Sequence, residues 1–517
     1  MSARRVPVVV IGSGFGGTLL AAAVRRQGTR VLLLERGSHP RFAIGESTTP
    51  LTNLLVEEIA GEFDLPFLRP LSKWGTWQEA RPGLACGIKR GFTFYKHDIG
   101  REFPRGREAS LRRQLMVGAS PNEWAADTHW YRPGLDEFLV SKARDTGVEY
   151  QDGVEVESVA EEARGVRIAC RRKGRRLEIL AGFVVDASGP RGCLHRLLRL
   201  PERSAAGFPD TKALFAHFEG VVPLHGGFSP GSPPYPCEQA AVHHVFDGGW
   251  VWVLRFNNGI TSAGVVATSA AADRLGLCPG EAGWKRVLAA LPSLGRSFAG
   301  ARAVTPFHWQ GKVAFQSGRV RGRRWALLPS AAGVIDPLLS TGFPLALLGV
   351  QRLARALGGR GGPGRDHALR QYARATTREF EATASLIKAL YAKMARFEDF
   401  RTLSLAYFAA ASYSEASRRL GRGSRAGDFL LAGDRWFGPR LRSLCDPRLR
   451  GRRLRSRVRE AIGPIDILGL SDEARSPWYP ASADDLYLNA AKLGASDGEI
   501  SLMLARCGMG PGRGPPR

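Results

Sequence analysis

Three glycines, Gly12, Gly14 and Gly17, stand between an apolar run, Pro7–Ile11, and an alanine-rich stretch, Thr18–Val24. This is a Gly-x-Gly-x-x-Gly turn joining a strand to a helix. The first glycine permits the tight turn, the second lets a pyrophosphate approach the backbone, and the third lets helix and strand pack closely. Free N–H groups and the dipole at the helix N-terminus then favour two phosphates. A second apolar run, Arg30–Leu34, ends on Glu35, where a carboxylate accepts hydrogen bonds from an adenosine ribose. Strand, turn, helix, second strand and terminal acid together define a dinucleotide site.

Further candidate chemistry lies downstream. Ile44-Gly45-Glu46-Ser47 is a loop leading into a helix that Ser47 or Thr48 can cap. Ile88–Tyr95 reads as one strand whose alternation sets Lys89, Gly91, Thr93 and Tyr95 on one face and Arg90 on the other. The strand Ile179–Val185 ends in Asp186-Ala187-Ser188-Gly189, which suits backbone contact with a cofactor, although an ordinary strand-to-loop turn is the plainer reading of these residues alone. Asp247–Phe256 and Thr261–Val266 read as a hairpin turning at Asn257-Asn258-Gly259, with Trp250 and Trp252 on one side. Asp336-Pro337-Leu338-Leu339-Ser340-Thr341-Gly342 precedes a helix over Leu345–Leu357, with Pro344 in its first turn. Unpaired N–H groups there make an anion site, open to a halide or a negatively charged reduced flavin ring. A solvated helix cap is the plainer reading of the same residues.

The scaffold that must position these groups is large. At 517 residues, 44% hydrophobic and 24% charged, the chain has the composition of a globular protein with two or three subdomains. The expected fold class is α/β. A Rossmann-type, glutathione-reductase-like binding domain over residues 1–360 is interleaved with a β-rich substrate domain at approximately 60–130 and 205–310. A helical C-terminal region spans 361–507, with helices over Ala373–Arg396 and Phe400–Leu420. Gly358–Gly364 is expected to be a flexible linker, and 508–517, rich in glycine and proline, a disordered tail. Only 11 of the 74 basic residues are lysine, within a net charge of +26. The basic clusters at 171–176 and 449–455 carry no interleaved aromatics or nucleic-acid motif, so an arginine-biased composition on solvated faces is expected, with attraction of an acidic partner or substrate as the alternative. The seven scattered cysteines form no C-x-x-C pair, which points to reduced thiols, a cytoplasmic location and no zinc. No run of eighteen apolar residues and no targeting segment occurs, so no membrane span is expected.

Four segments, in this order, resemble the FAD-dependent halogenases among the glutathione-reductase-type flavoproteins: Gly12–Gly17, Ile44–Ser47, Gly249–Leu254 and Asp336–Gly342. The resemblance covers roughly residues 6 to 360 and implies FAD as cofactor. Together with the strand-end readings at Glu35, Asp186 and Gly189, it gives Gly12, Gly14, Gly17, Glu35, Glu46, Ser47, Asp186, Gly189 and Ser330 as the expected cofactor-binding residues. It places halide and the flavin ring at Thr341 and Gly342, the substrate wall at Trp250 and Trp252, and the catalytic role on Lys89, which handles hypohalous acid. Reduced FAD, oxygen and halide would act on an organic substrate, a small molecule or one tethered to a carrier. No second glycine unit follows a strand, so reduced FAD would come from a separate flavin reductase. The family's Trp-x-Trp-x-Ile-Pro ends here in Leu254-Arg255, its Gly-Asp step is Pro329-Ser330, and Leu339 replaces the Glu of enzymes acting on free tryptophan. Free tryptophan is therefore not the expected substrate. A flavin hydroxylase or prenyl-type reductase, and a non-catalytic flavin-binding protein, are the alternatives on the same scaffold.

Overall fold

Continuous Val and Leu runs make strands that are buried on both faces, the habit of parallel sheets covered by helices. In the computed structural model, which describes residues 4–104, 106–203, 207–223, 232–358, 363–423 and 426–509, β1 (Arg4–Ile11) and β2 (Val31–Leu34) are such strands. Helix α1 (Phe15–Arg26) connects them and α2 (Pro50–Glu62) follows. Next come β3 (Cys86–Lys89), β4 (Gly91–Lys96), β5 (Gln114–Gly118), β6 (Asp127–Trp130) and helix α3 (Arg132–Asp145). The chain continues through β7 (Glu149–Gln151), the hairpin β8 (Val154–Glu162) and β9 (Gly165–Arg172), and β10 (Arg175–Asp186). A seven-stranded sheet runs β7-β2-β1-β10-β9-β8. Its strands β7, β2, β1 and β10 are parallel neighbours, and Trp325–Leu327 returns to pair with β10.

A second, nine-stranded sheet carries β11 (Thr211–Glu219), β12 (Ala241–Phe246), β13 (Gly249–Arg255) and β14 (Thr261–Thr268), in the order β11-β14-β13-β12-β4-β5. It draws strands from two distant stretches of chain, because β4 pairs in parallel with β12. The helices α4 (Gly342–Gly358), α5 (Pro363–Tyr391), α6 (Phe397–Arg419) and α7 (Gly451–Ile462) pack on one another, and α4 and α6 also pack on α2, with α4 against α1. The fold is thus α/β with a helical C-terminal region, and no helix among the described residues is long and apolar enough to cross a membrane.

Three expectations are corrected. Ile88–Tyr95 is two strands, not one, and they belong to different sheets: β3 pairs with β6, while β4 pairs with β5 and β12. The chain switches at Arg90, whose N–H bonds Gln239 O. Gly91 permits the switch, since a Cβ there would lie 2.3 Å from Val117 O. The alternation therefore restarts, and Lys89 faces the Phe92 side of the sheet rather than that of Gly91, Thr93 and Tyr95: its Nζ lies 3.8 Å from the Phe92 ring. Second, α4 starts at Gly342 rather than Leu345, and α5 starts ten residues before Ala373 and stops at Tyr391. Third, the linker shrinks, because Gly358 ends α4 and Pro363–Gly364 open α5; residues 359–362 and 510–517 of the expected linker and tail lie outside the described residues.

Candidate active site

The glycine turn is set by close backbone approach. Gly12 has φ +103° and a Cβ there would meet Ala187 O at 2.6 Å; at Gly17 it would meet Gly12 O at 2.0 Å. Glu35 ends β2 beside this turn. Its Oε2 accepts from the Ser13 N–H and hydroxyl, both at 2.9 Å, and its Oε1 from Gly37 N–H at 3.0 Å. Burial pushes the carboxyl up, but those N–H groups and the Arg41 guanidinium outweigh it and hold Glu35 below the usual range.

Two arginines unassigned in the sequence converge on the same turn. A Cβ on Gly14 would lie 3.5 Å from an Arg132 terminal nitrogen and 3.8 Å from one of Arg41. Arg132 is held by Asp136 one helical turn on, at 2.9 and 2.8 Å, and by the Ile44 and Gly45 carbonyls at 3.0 Å. Its guanidinium also lies 4.9 Å from the Phe15 ring. Backbone N–H groups at the start of α1, open space at Gly14 and two cations beside it fit a diphosphate.

The strand end at Asp186 meets the glycine turn through backbone, not through its carboxylate. Its carboxylate is buried in its own loop, where Oδ1 accepts from the Ser188 N–H and hydroxyl, and Oδ2 from Leu194 N–H. What faces the glycine turn is the backbone of Ala187 and Ser188. Gly189, at φ +90°, has nothing within 4 Å of a Cβ. Ser330 lies partly buried in the short helix Pro329–Ala332. Arg255, which replaces the family's proline, pairs with Glu238 at 3.1 Å and bonds Val221 O. It serves the end of the hairpin, which is tied to β3 by hydrogen bonds between Asn257 and Cys86.

The other motifs gather around β6. Phe343, in the first turn of α4, lies 4.7 Å from Phe15 and 4.8 Å from Trp130. Trp130 N–H in turn bonds Glu46 O. Glu46 Oε1 and His217 Nε2 meet at 2.7 Å with both side chains buried, and Glu46 Oε2 has no partner among the described residues. Ser47 forms a bridge with His129 and takes a hydrogen bond from Lys89. The Lys89 Nζ donates to Ser47 Oγ at 3.0 Å and to Thr48 O at 2.5 Å, and the residue is 0% exposed. Burial drives its ammonium well down from the ordinary lysine range, while the Asp127 carboxylate opposes this. Burial also drives the neighbouring His129 and His243 imidazoles down to about 3, with the charge of Lys89 adding to it.

Thr341 is buried and Gly342 is exposed, with nothing within 4 Å of a Cβ on the glycine. Leu339 and Ser340 before them are left-handed, at φ 65° and 54°, a conformation that costs a branched side chain energy and persists only when held. The C-terminal helices hold it. Tyr407 of α6 donates to Leu339 O at 2.7 Å, and Tyr391 of α5 donates to Asp336 Oδ2 at 2.9 Å. Burial raises Asp336 to about 7, against hydrogen bonds from Leu338 N–H and Tyr391. Trp250 Nε1 donates to the same Tyr391 oxygen at 2.9 Å, and the Trp250 and Trp252 rings lie side by side at 5.9 Å. Tyr407 also packs on Phe92, the ring beneath Lys89. Lys89, the tryptophan pair and the Ser340 turn are thereby tied into one wall.

This fold and its glycine turn define a dinucleotide-binding α/β protein with an interleaved β domain. Residues 10–55 match the NAD(P)-binding Rossmann-like domain, and residues 106–400, more than half of the chain, match the tryptophan halogenase family. The chain belongs to that family. It is 29% identical over 356 residues to the monodechloroaminopyrrolnitrin halogenase PrnC of Pseudomonas fluorescens, covering 68% of this chain and 61% of that one. It is 30% identical over 352 residues to the tetracycline 7-halogenase of Kitasatospora aureofaciens, covering 66% and 61%. The matched stretch thus spans about three fifths of each relative. The crystal structure of halogenase PltM in complex with phloroglucinol and FAD superposes with a TM-score of 0.81 at 23% identity, over 92% of this chain and all of that one.

Proposed function

We propose that this protein is an FAD-dependent halogenase acting on an electron-rich organic substrate other than free tryptophan. The observation that carries the proposal is Lys89, a buried amine bound to the Gly45-Glu46-Ser47 loop and tied through Phe92 and Tyr407 to the Ser340–Gly342 turn. The names of PrnC and the tetracycline enzyme support the chemistry. Reduced FAD, when bound, supplies the electrons by which oxygen converts halide to hypohalous acid. The glycine turn, Arg132 and Arg41 hold the diphosphate, Glu35 the ribose, and the N–H groups at Thr341 and Gly342 the halide. Trp250 and Trp252 wall off the organic substrate, and Lys89 handles the oxidised halogen. A partner flavin reductase provides reduced FAD. The test is purified protein with FAD, a reductase, oxygen and halide: halide-dependent product is expected, whereas halide-independent oxygenation or reduction would replace this reading with the hydroxylase or reductase.

The protein is expected to purify yellow and to release FAD rather than FMN. Glu35→Ala removes a ribose acceptor, which costs about 1–3 kcal/mol, roughly 10- to 100-fold in FAD affinity. Unchanged affinity by fluorescence titration counts against the site.

The charge of +26 makes an acidic carrier a favourable way to present the substrate. With a carrier-tethered substrate, turnover is expected to fall between low and moderate salt as the attraction is screened. Rates that stay flat over that range remove the carrier from the proposal.

A further inference from the structure

A half-enclosed cavity of about 210 Å³ opens between α6, α7 and residues 470–479. Helix α6 turns Arg401 and Leu405 to it and α7 turns Val458 and Ile462, each pair one helical turn apart. Leu115 of β5 and Leu470, both 1% exposed, complete an apolar floor. The cavity is separate from the Lys89 wall. An adjoining face of α6 carries Phe400 and Tyr407, which pack on Phe94 and Phe92.

Charge around this cavity is unbalanced. Arg455 pairs with Glu398 across the rim, and Arg459 pairs with Glu473. Arg401 is the third arginine there and has no ion pair among the described residues. Its Nη1 donates to Gln114 O at 3.3 Å, and its guanidinium carbon lies 5.9 Å from the Phe397 ring. Burial holds Arg401 below the usual arginine range, against the opposing influence of Glu398 and Tyr479. A guanidinium nonetheless stays charged in a protein, and a desolvated charge is costly until it is paired.

We propose that this cavity is a binding site for a monocarboxylate carried on one apolar ring, with the carboxylate on Arg401 and the ring on the Leu115 floor. Three arginines against two glutamates leave a single positive charge to be met, which one carboxylate supplies. The planar fork of a guanidinium matches both oxygens of that group. Size sets the rest of the ligand. A dry apolar cavity of about 150 Å³ accommodates benzene, so the volume here takes one ring and its carboxylate. A bare inorganic anion would leave the apolar floor uncovered. None of the lining residues belongs to the glycine turn, the Lys89 wall or the Ser340 turn, so the site stands independently of the halogenase reading.

The test is isothermal titration of the full-length protein, saturated with FAD so that the diphosphate cradle is filled. Benzoate is the probe, with benzamide and inorganic phosphate beside it. Benzoate is expected to bind one site with a Kd of about 1 mM or tighter. Benzamide lacks the charge and phosphate lacks the ring, and each is expected to bind at least about tenfold more weakly. Arg401→Gln keeps a polar head without the charge and is expected to weaken benzoate by at least about tenfold. Leu405→Trp fills the floor, leaves Arg401 in place and is expected to weaken benzoate as well. It decides the outcome if Arg401→Gln does not fold, which thermal unfolding of both variants reports. No measurable binding at about 10 mM benzoate overturns the site, as does parental affinity in either folded variant. Benzamide that binds as tightly as benzoate overturns the role of Arg401, and phosphate that does so overturns the apolar ligand class.

Discussion

Lys89→Ala is expected to abolish halogenated product, a loss of roughly 10²- to 10⁴-fold if acid–base chemistry at Nζ is the whole of its role, while FAD binding and flavin reoxidation continue. The substitution leaves Ser47 Oγ and Thr48 O without their buried donor, at a cost of about 1–3 kcal/mol. Thermal unfolding therefore accompanies the assay, to separate lost chemistry from lost fold. Lys89→Arg is the sharper variant. It keeps a cation, but a guanidinium does not give up its proton in a protein and its planar fork does not match the point contacts of an ammonium. It is expected to fail as well. Arg90 offers no rescue, since it bonds Pro121 O away from this face. Halogenation at the parental rate in Lys89→Ala would make the lysine structural, a buried anchor for the Ser47 loop.

What was legible in the sequence follows how local each interaction is. The glycine turn is a contiguous strand-turn-helix, and its tightest approach, Gly17 to Gly12 O, lies inside it, while Ala187 and Ser188 supply the approach at Gly12. The tryptophan pair was equally local, because its hairpin turns at Asn257-Asn258-Gly259 as those residues dictate. The face of Lys89 was misread because the alternation rule assumes one unbroken strand. The break depends on the Val117 carbonyl and on Gln239, neither of them near Lys89 in sequence. Asp186 carried both readings, backbone contact and an ordinary strand-to-loop turn, and its carboxylate follows the second: an acid followed two residues later by serine, just before a short helix, binds its own loop. Arg132 and Asp136 form an i,i+4 pair that sequence alone can flag, but that the arginine lies beside Gly14 is a tertiary fact. Tyr391 and Tyr407 brace a turn 55 and 68 residues upstream. They read simply as the aromatic faces of amphipathic helices, so the part the C-terminal region plays in shaping the site had no local trace.

Gly17→Ala is expected to damage both stability and FAD binding severely. A Cβ would lie 2.0 Å from Gly12 O and 2.8 Å from the Ala187 Cβ. The nearer atom belongs to the backbone of the very turn that must meet the phosphates, so no side-chain rotation relieves the clash. Either the turn opens or α1 moves off β1. Overpacking of this kind costs about 1–3 kcal/mol in stability. The loss at the cofactor is larger, because the N–H groups at the start of α1 must point at one place to bind an anion. FAD affinity is expected to fall by at least about 100-fold, near 3 kcal/mol. The shift does not stop at the cofactor: Phe15 opens α1 and packs on Phe343 of α4, so movement of one helix drags the Ser340–Gly342 turn with it. Gly61→Ala provides the matched control. That glycine lies in α2 with nothing within 4 Å of a Cβ, so alanine there is expected to leave FAD affinity unchanged and to raise stability by up to about 1 kcal/mol. The comparison is read by FAD titration and thermal unfolding of both variants. If Gly17→Ala binds FAD as Gly61→Ala does, the diphosphate does not rest on this turn, and the cofactor site assigned to Gly12, Gly14 and Gly17 is wrong.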